Sequence, residues 1–510
     1  MAYVVKIAVA MAAMPLFGAL ARPSSSVCLK KQNDTQLLPS YDYVVVGAGA
    51  SGLTVANRLS EDPNVTVLVI EAGELDAGED FVKIPGLAGG AVGTKYDWNT
   101  TYVANDALGG RVVSIPQGKI VGGSTKLNRM VFDRGSKSDY DRWESLGASG
   151  WNWDTLLPYF KKNEKFTPPT PEIVAEWEFM IDAIRELGIT VAKDQANGSP
   201  IGGYFCPHNQ DPKTATRSSA REAYYDNFTG RQNLHLLTGR QVTKVVTAGS
   251  GNSIVATGVA SNATFAAEAR AQYDGQQNGP LSSPTGDFIA FLPLSTYSKA
   301  GQTLSSQATA QDGTTFLPSG TPAEVVKGYQ AQHKVLNDRL LADDSALLEI
   351  IWADGAMVLG LQHPYSRGNL KAASSSTFDA PVADSAFLKN PLDVSFLVEA
   401  VKFTRTLTGT DSIKGLQPFE IVPGANVTTD DAIADFVRQQ SSTLFHPVGT
   451  CKLGAREEGG VVDTSLKVYG ISGLRVVDAS IMPLVPATHI MTTVYAVAEK
   501  AADIIRGKTA

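Results

Sequence analysis

Cysteine is scarce. Cys28, Cys206 and Cys451 are the three in 510 residues, and their spacing matches no metal-ligand pattern. One disulfide can form in an oxidising compartment; Cys28–Cys206 is the expected pair and Cys451 the remaining thiol. Positive charge is also in deficit. Lysine and arginine number 44 against 51 acidic residues, a net charge of −7, which argues against a nucleic-acid-binding surface. Beyond the first twenty-one residues no stretch is long and apolar enough to cross a bilayer, so no membrane span is expected. Hydrophobic residues at 43% and charged residues at 19% are ordinary for a globular chain, and the length allows two or three domains with substantial cores.

What is present begins with a secretory pattern. Lys6 gives a positive start, Ile7 to Leu20 is mostly apolar, and Ala19-Leu20-Ala21 suits signal cleavage, so residues 1–21 are expected to be a signal peptide. Residues 22–40 are polar, contain Pro and Ser, and read as a flexible leader. Asn-x-Ser/Thr sequons begin at Asn33, Asn64, Asn99, Asn197, Asn227, Asn262 and Asn426, which agrees with a secreted glycoprotein. Asn64 directly precedes a core strand and is expected to be poorly accessible.

The stretch around which the chain is organised runs from Tyr41 to Gly73. The apolar run Tyr43 to Val46 suits a strand buried on both faces. Gly47, Gly49 and Gly52 follow in G-x-G-x-x-G spacing, then an amphipathic stretch from Leu53 to Leu59. A second β-branched run, Val65 to Ile70, ends at Glu71. Strand, tight turn, helix and strand in this order make a dinucleotide-binding unit. Gly47 allows the turn, Gly49 lets backbone approach a pyrophosphate, and Gly52 lets the helix pack close to the strand. The helix start, including Ala50 and Ser51, offers free N–H groups to phosphate. Glu71, followed by Ala72, stands where a carboxylate can accept hydrogen bonds from ribose hydroxyls.

A second glycine-punctuated segment spans Arg111 to Trp143. Gly118, Gly122 and Gly123 permit close approach of a ligand, with Ser124, Thr125 and Asn128 supplying small polar groups. The run Gly118-Lys119-x-Val121-Gly122-Gly123-Ser124-Thr125-x-Leu127-Asn128, with Arg134-Gly135 and Asp139-Tyr140-Asp141-x-Trp143, resembles the first signature of the glucose–methanol–choline (GMC) flavoprotein oxidoreductases. The resemblance implies that Gly123, Ser124, Asn128, Arg129, Met130 and Val131 contact FAD, and that Val242 lends its backbone to the adenine. Arg129 stands where many members carry glycine. Near the other end, His446-Pro447-Val448-Gly449-Thr450-Cys451 resembles the active-site histidine motif of the family. Asp478 to Pro483 resembles a second FAD-contacting strand end, and His489-Ile490-Met491 follows. By resemblance His446 is the catalytic base, His489 orients the alcohol, and Ala479, Ile490 and Met491 touch FAD.

The remaining elements follow from periodicity and end signals. Helices are expected over Trp151–Asn163 with Asp154 as cap, Glu172–Leu187, Ala323–Leu341, Asp393–Thr408 and Asp430–Gln440 with Asp430 as cap. A last helix begins near Thr492 or Thr493 as cap and ends at Gly507, with Val494, Val497, Ala498, Ala501 and Ile505 on its apolar face. Asn233–Val246 and Leu347–Leu361 read as strands, and Thr296–Gly320, rich in Ser, Thr, Gln and Gly, as a surface loop. Asn369-Leu370 resembles the start of a substrate-domain strand.

Near Ala256 to Thr264 the resemblance breaks. The second family signature, a strand, a turn, a helix and a glycine loop, is absent, which should open a sheet edge and expose apolar surface. A shortened gene product or a reorganised domain both account for it. The expected fold is α/β, a Rossmann-type FAD-binding domain with an α+β substrate domain on an antiparallel sheet. The FAD domain would use residues 41–150, 230–262 and 441–510, and the substrate domain 151–229 and 263–440. The resemblance is greatest to fungal aryl-alcohol-oxidase-like and patulin-synthase-like members. It implies FAD-dependent oxidation of a primary, aryl or secondary-metabolite alcohol, with oxygen or another electron acceptor, no metal, and a secretory destination (extracellular, cell wall or vacuole). A non-redox cyclase on the same scaffold and a catalytically impaired truncated form are the alternatives.

Overall fold

The computed structural model describes residues 3–10, 37–168, 178–248, 254–263, 288–353 and 356–508. Two sheets organise it. Tyr43–Val46, Val67–Ile70 and Leu234–Leu237 form a parallel sheet in that spatial order, Tyr43 opposite Val67 and Val67 opposite Leu234. The middle strand, Val-Leu-Val-Ile, is buried throughout because it has neighbours on both sides. The helix Ala50–Leu59 packs beside the C-terminal helix Met491–Ile505, and Leu53, Ala56 and Leu59 share a core with Tyr495 and Ala498. Arg240–Ala248 and Ile254–Ala263 form an antiparallel pair extended by Ile471–Ser472.

The second sheet is mainly antiparallel and has seven strands. Its path runs Phe419–Glu420, Tyr3–Ala10, Ala356–Leu361, Leu348–Ala353, Phe288–Leu292 and Gly202–Phe205, with Ser442–Thr443 also pairing Tyr3–Ala10. The long helix Pro391–Thr408 buries Phe396, Leu397, Ala400 and Val401 against it. Asn390 caps that helix by accepting from the Leu392 amide, and Pro391 sits at its first turn, where no N–H is needed.

Several expectations change. Tyr43–Val46 is an edge strand: Val44 is 39% and Val46 55% exposed, and among the described residues nothing pairs with its outer side. Tyr3–Ala10, expected within a cleavable signal, is a strand of the seven-stranded sheet in this chain. Gly301–Ala310 is a helix where a surface loop is expected, because Leu304 and Ala308 bury one side of it. Among the described residues, Asn369–Lys371 pairs only with Val382–Asp384, in a two-stranded ribbon.

Caps shift too. Asn152, not Asp154, caps Trp153–Asn163, and Thr429, not Asp430, caps Asp430–Gln440. Packing also crosses the expected domain boundaries. Trp153–Asn163 lies against the C-terminal helix, Ala220 and Tyr224 enter the core of the parallel sheet, and Ser442–Thr443 joins the larger sheet. Asn64 is exposed, contrary to expectation. Cys28, and with it the Cys28–Cys206 pairing, lies outside the described residues; Cys451 is a half-buried thiol.

Candidate active site

The glycine turn is built by steric necessity. Gly47 has φ +94°, and a Cβ on Gly52 would lie 1.9 Å from the Gly47 carbonyl oxygen. A Cβ on Gly123 would lie 2.7 Å from Gly49 Cα, so the two glycine loops meet backbone to backbone. The Gly122 amide donates to the Ala48 carbonyl at 2.8 Å, tying them together. Ala50 opens the helix, and no side chain caps it. The Ser51 hydroxyl is buried without a hydrogen-bond partner among the described residues. Glu71, at the end of its strand, accepts from the Ala48 amide at 2.7 Å and the Gly73 amide at 2.8 Å, with Ala72 between. Burial pushes its carboxyl pKa up. Val242 packs beside Leu68, Ile70 and Leu237 at the same end of the sheet.

Downstream of Gly123 and the exposed Ser124, the chain turns at Met130, which is buried with φ +70°. A left-handed methionine is strained and persists only where its surroundings enforce it. Asn128 does much of this: its Oδ1 accepts from the Met130 amide at 3.2 Å, and its Nδ2 meets Met491 Sδ at 3.0 Å. Val131 bridges to His208. Arg129 is exposed, with its guanidinium stem against Gly89. Beneath the loop, Lys126 is buried between Asp76 at 3.1 Å and Glu222 at 2.5 Å, and Arg221 meets Asp76 at 2.7 Å. A lysine with two carboxylates this close is a fixed structural cation.

His446 and His489 converge from two turns of the last seventy residues, their ring centroids 5.4 Å apart and their planes at 86°. The His446 turn is fixed by the Cys451 and Leu453 amides, which donate to the Ser480 and Ile481 carbonyls, and Asp478 caps the turn Ala479–Ile481. Phe445, just before His446, has φ +64° and is 55% exposed. His489 is followed by Ile490 and by the C-terminal helix, whose first turn has no side-chain cap. Thr492 and Thr493, expected as caps, instead bond to the Asp133 carbonyl and to Tyr140 Oη. Glu499 and Lys500 are buried as well, so that helix is enclosed on nearly every side.

The electrostatics of the two rings differ. Burial, reinforced by His489 nearby, lowers the pKa of His446 to about 3, and its Nδ1 is buried without a hydrogen-bond partner among the described residues. Burial also opposes charge on His489, but the carboxylates of Glu349 and Asp133 outweigh it and raise its pKa to about 9. His489 Nδ1 lies 3.2 Å from Asp133 Oδ2, and Nε2 lies 3.6 Å from Glu349 Oε1. Burial lifts Glu349 to about 7. Burial acts on Asp133 in the same sense, but His489 and Thr488 hold its carboxyl below the usual carboxylate range. Burial lowers the nearby His208 to about 4.

Asp133, Glu349, Arg217 and Lys126 escaped the sequence reading. A signal existed for two of them. Asp133 closes the short apolar run Met130–Phe132 inside the glycine-loop signature, and Glu349 is the one acid between Leu347 and Ala353. A lone carboxyl in an apolar strand must find a partner in the fold.

FAD fits these residues. The glycine turn leaves open space at Gly47, where no atom would meet an added Cβ, beside the unsatisfied Ser51 hydroxyl and the helix start. The second loop and the uncapped C-terminal helix lead from there to the histidines. Comparison with known proteins agrees. Two family profiles described as GMC oxidoreductase match residues 41–277 and 364–498. The dehydrogenase xptC of Emericella nidulans is 31% identical over 584 residues, covering 92% of this chain and 93% of that one. That alignment is longer than this 510-residue chain and so carries gaps on this side.

Among solved structures, an FAD-dependent oxidoreductase from Chaetomium thermophilum superposes with a TM-score of 0.85 at 27% identity, over 92% of this chain and 99% of that one. A fungal aryl-alcohol oxidase superposes with a TM-score of 0.83 at 26% identity, over 92% and 100%. With a Rossmann-type sheet, two glycine loops backed against each other and paired histidines, one of them just ahead of an uncapped helix start, the chain belongs to the GMC oxidoreductase family of FAD-dependent enzymes.

Proposed function

We propose that this enzyme oxidises a primary or aryl alcohol, with His446 as the general base. FAD, when bound, supplies the hydride acceptor at N5. His446, neutral and with an unpartnered Nδ1, takes the hydroxyl proton as the carbinol hydride departs, leaving a carbonyl product. His489 donates a hydrogen bond to the substrate oxygen and orients it. Gly47, Gly49, Ala50, Ser51 and Gly52 would hold the diphosphate, Glu71 and Ala72 the ribose end, and Val242 the adenine. Gly123, Ser124, Asn128, Arg129, Met130, Val131, Ala479, Ile490 and Met491 would hold the flavin ring and its tail. The residue ranges given above for the two domains stand as the working division, amended by the packing just described. Oxygen or another acceptor would then reoxidise the cofactor.

One observation carries this reading: two imidazoles 5.4 Å apart, of which the one with no carboxylate partner stays neutral. The test is His446→Ala. The variant should retain yellow bound flavin yet fail to bleach on anaerobic addition of primary or benzylic alcohols. Bleaching at the unaltered rate would remove His446 as the base. A wild-type protein that binds flavin but bleaches with no alcohol in such a panel would point to non-redox chemistry. Secretion is part of the same proposal, supported by the exposed sequon residues Asn64, Asn99, Asn197, Asn227 and Asn426. Mass analysis for N-linked glycan at these sites tests it.

A further inference from the structure

We propose that Asp133 and Glu349 are positioning residues that grip His489 from opposite sides and hold it as an imidazolium, leaving His446 as the proton acceptor. The inference rests on the reading of His446 given above, and it divides two chemically identical side chains into different roles by their surroundings alone.

The geometry is the starting point. A neutral imidazole has one N–H donor, whereas the protonated ring has two. Asp133 Oδ2 lies 3.2 Å from Nδ1, and Glu349 Oε1 lies 3.6 Å from Nε2. A neutral ring with its N–H on Asp133 would turn its lone pair towards Glu349; the cation donates Nδ1–H to Asp133 and keeps Nε2–H, beyond hydrogen-bond reach of Glu349 at 3.6 Å, as the donor for the substrate oxygen. Both acids are fully buried, so neither can be satisfied by bulk water.

Asp133 is the better anchored. Its Oδ1 accepts from the Thr488 hydroxyl at 2.8 Å and the His489 amide at 3.1 Å, and its Oδ2 accepts from Tyr204 Oη at 3.1 Å. A carboxylate with this many donors is held ionised and fixed in direction. Glu349 stands on the larger sheet, opposite Gly360. Its Oε2 accepts from Gln362 Nε2 at 2.7 Å, which leaves Oε1 turned to His489 without a hydrogen bond of its own. A Cβ at Gly360 would lie 3.0 Å from both Glu349 Oε2 and Gln362 Nε2, so the glycine makes room for the pair.

The groups facing His489 are therefore Asp133, Glu349, Tyr204, His208 and His446. Of these the two carboxyls favour charge on His489, and charge there disfavours a proton on His446 and His208. Asp133 comes from the flavin loop and Glu349 from the substrate-side sheet, so the grip on His489 also spans the two halves of the molecule.

The experiment is a pH titration of selectively ¹⁵N-histidine-labelled holoenzyme by NMR, with His489→Asn used to assign the resonance. In the wild type, His489 should remain an imidazolium from pH 7 to above pH 8. Asp133→Asn and Glu349→Gln should each lower its titration midpoint by at least about one pH unit, a tenfold change in proton affinity. In parallel, the alkaline limb of the anaerobic flavin-reduction rate should move to lower pH in both variants. The two amides are near-isosteric, and bound flavin reports whether each variant is folded. A neutral His489 at pH 7 in the wild type would overturn the proposal, and so would variants that slow reduction without moving either the midpoint or the limb. Because the NMR midpoint reads charge directly, it stands or falls separately from the assignment of His446 as base.

Discussion

Arg217 clasps Asn128 with two nitrogens: Nη1 donates to Oδ1 at 2.8 Å and Nη2 to the backbone carbonyl at 2.9 Å. Nη1 also reaches the Thr125 carbonyl at 3.0 Å, and Nε the Val82 carbonyl at 2.8 Å. All four acceptors are neutral, and the buried guanidinium spends its planar fork on shaping one loop. Asn128 in turn holds Met130 and Met491.

Lysine cannot reproduce that fork. Arg217→Lys should cost about 2–4 kcal/mol of stability through unsatisfied carbonyls. It should also weaken flavin binding at least tenfold, because the strained turn at Met130 loses its support. Thermal unfolding and the fluorescence of released flavin measure the two effects; flavin affinity equal to wild type would show that the loop shapes itself.

Gly52→Ala should give colourless protein. Its Cβ would meet the Gly47 carbonyl oxygen at 1.9 Å, so the turn must open to admit one methyl group. Gly230→Ala is the control, because nothing lies within 4 Å of the added atom. Absorbance near 450 nm in the purified proteins should separate them; yellow Gly52→Ala protein would contradict the assignment of this turn to the cofactor.

Asp139→Asn should destabilise the fold by about 3–5 kcal/mol at neutral pH. The Asp139 carboxylate accepts from the Ser136 amide at 3.2 Å and the Ala487 amide at 3.1 Å, and meets Arg142 Nη1 at 3.2 Å and His363 Nε2 at 3.1 Å. Burial works against its charge, but His363 and Arg142 prevail and depress its pKa from 3.8 to about 2. A depressed acid contributes stability above its unfolded value and loses it as pH falls. The gap between wild type and variant should therefore be full at pH 6 and narrow between about pH 4 and 2. Urea unfolding at both ends of that range reads it; a gap independent of pH would mean the charge is irrelevant.

Removal of residues 1–21, the expected signal, deletes the strand Tyr3–Ala10, which pairs with Ala356–Leu361 and Ser442–Thr443. A chain beginning at residue 22 should show faster amide exchange across Ala356–Leu361 than the full chain. Equal exchange by mass spectrometry would show that another segment takes that place.

Much of this was legible in the sequence because it is backbone chemistry. Gly47, Gly52 and Gly123 are demanded by turns and close approaches that other residues do not allow, so their spacing carries the site with it. The C-terminal helix was visible from its apolar face. What stayed hidden depends on partners distant in sequence. Val44 and Val46 look like core residues until the sheet is seen to end there. Thr492 and Thr493 could have capped their helix, but Asp133 and Tyr140 claim their hydroxyls. Asn152 and Asp154 are both able caps, and only the chain's entry angle chooses between them. The helix Gly301–Ala310 has a loop's composition, yet Leu304 and Ala308 find a surface to cover. Asp133 and Glu349 are ordinary acids in the sequence and become site residues only when His489 falls between them.

The outer side of Tyr43–Val46, unpaired among the described residues, carries a consequence for handling as well as for structure. Its N–H and C=O groups sit next to two solvent-facing valines, a ready template for a stray strand from a neighbouring molecule. Concentrated solutions should cloud in a manner that a charged replacement at Val46 suppresses, which turbidity measurements on the two proteins would read.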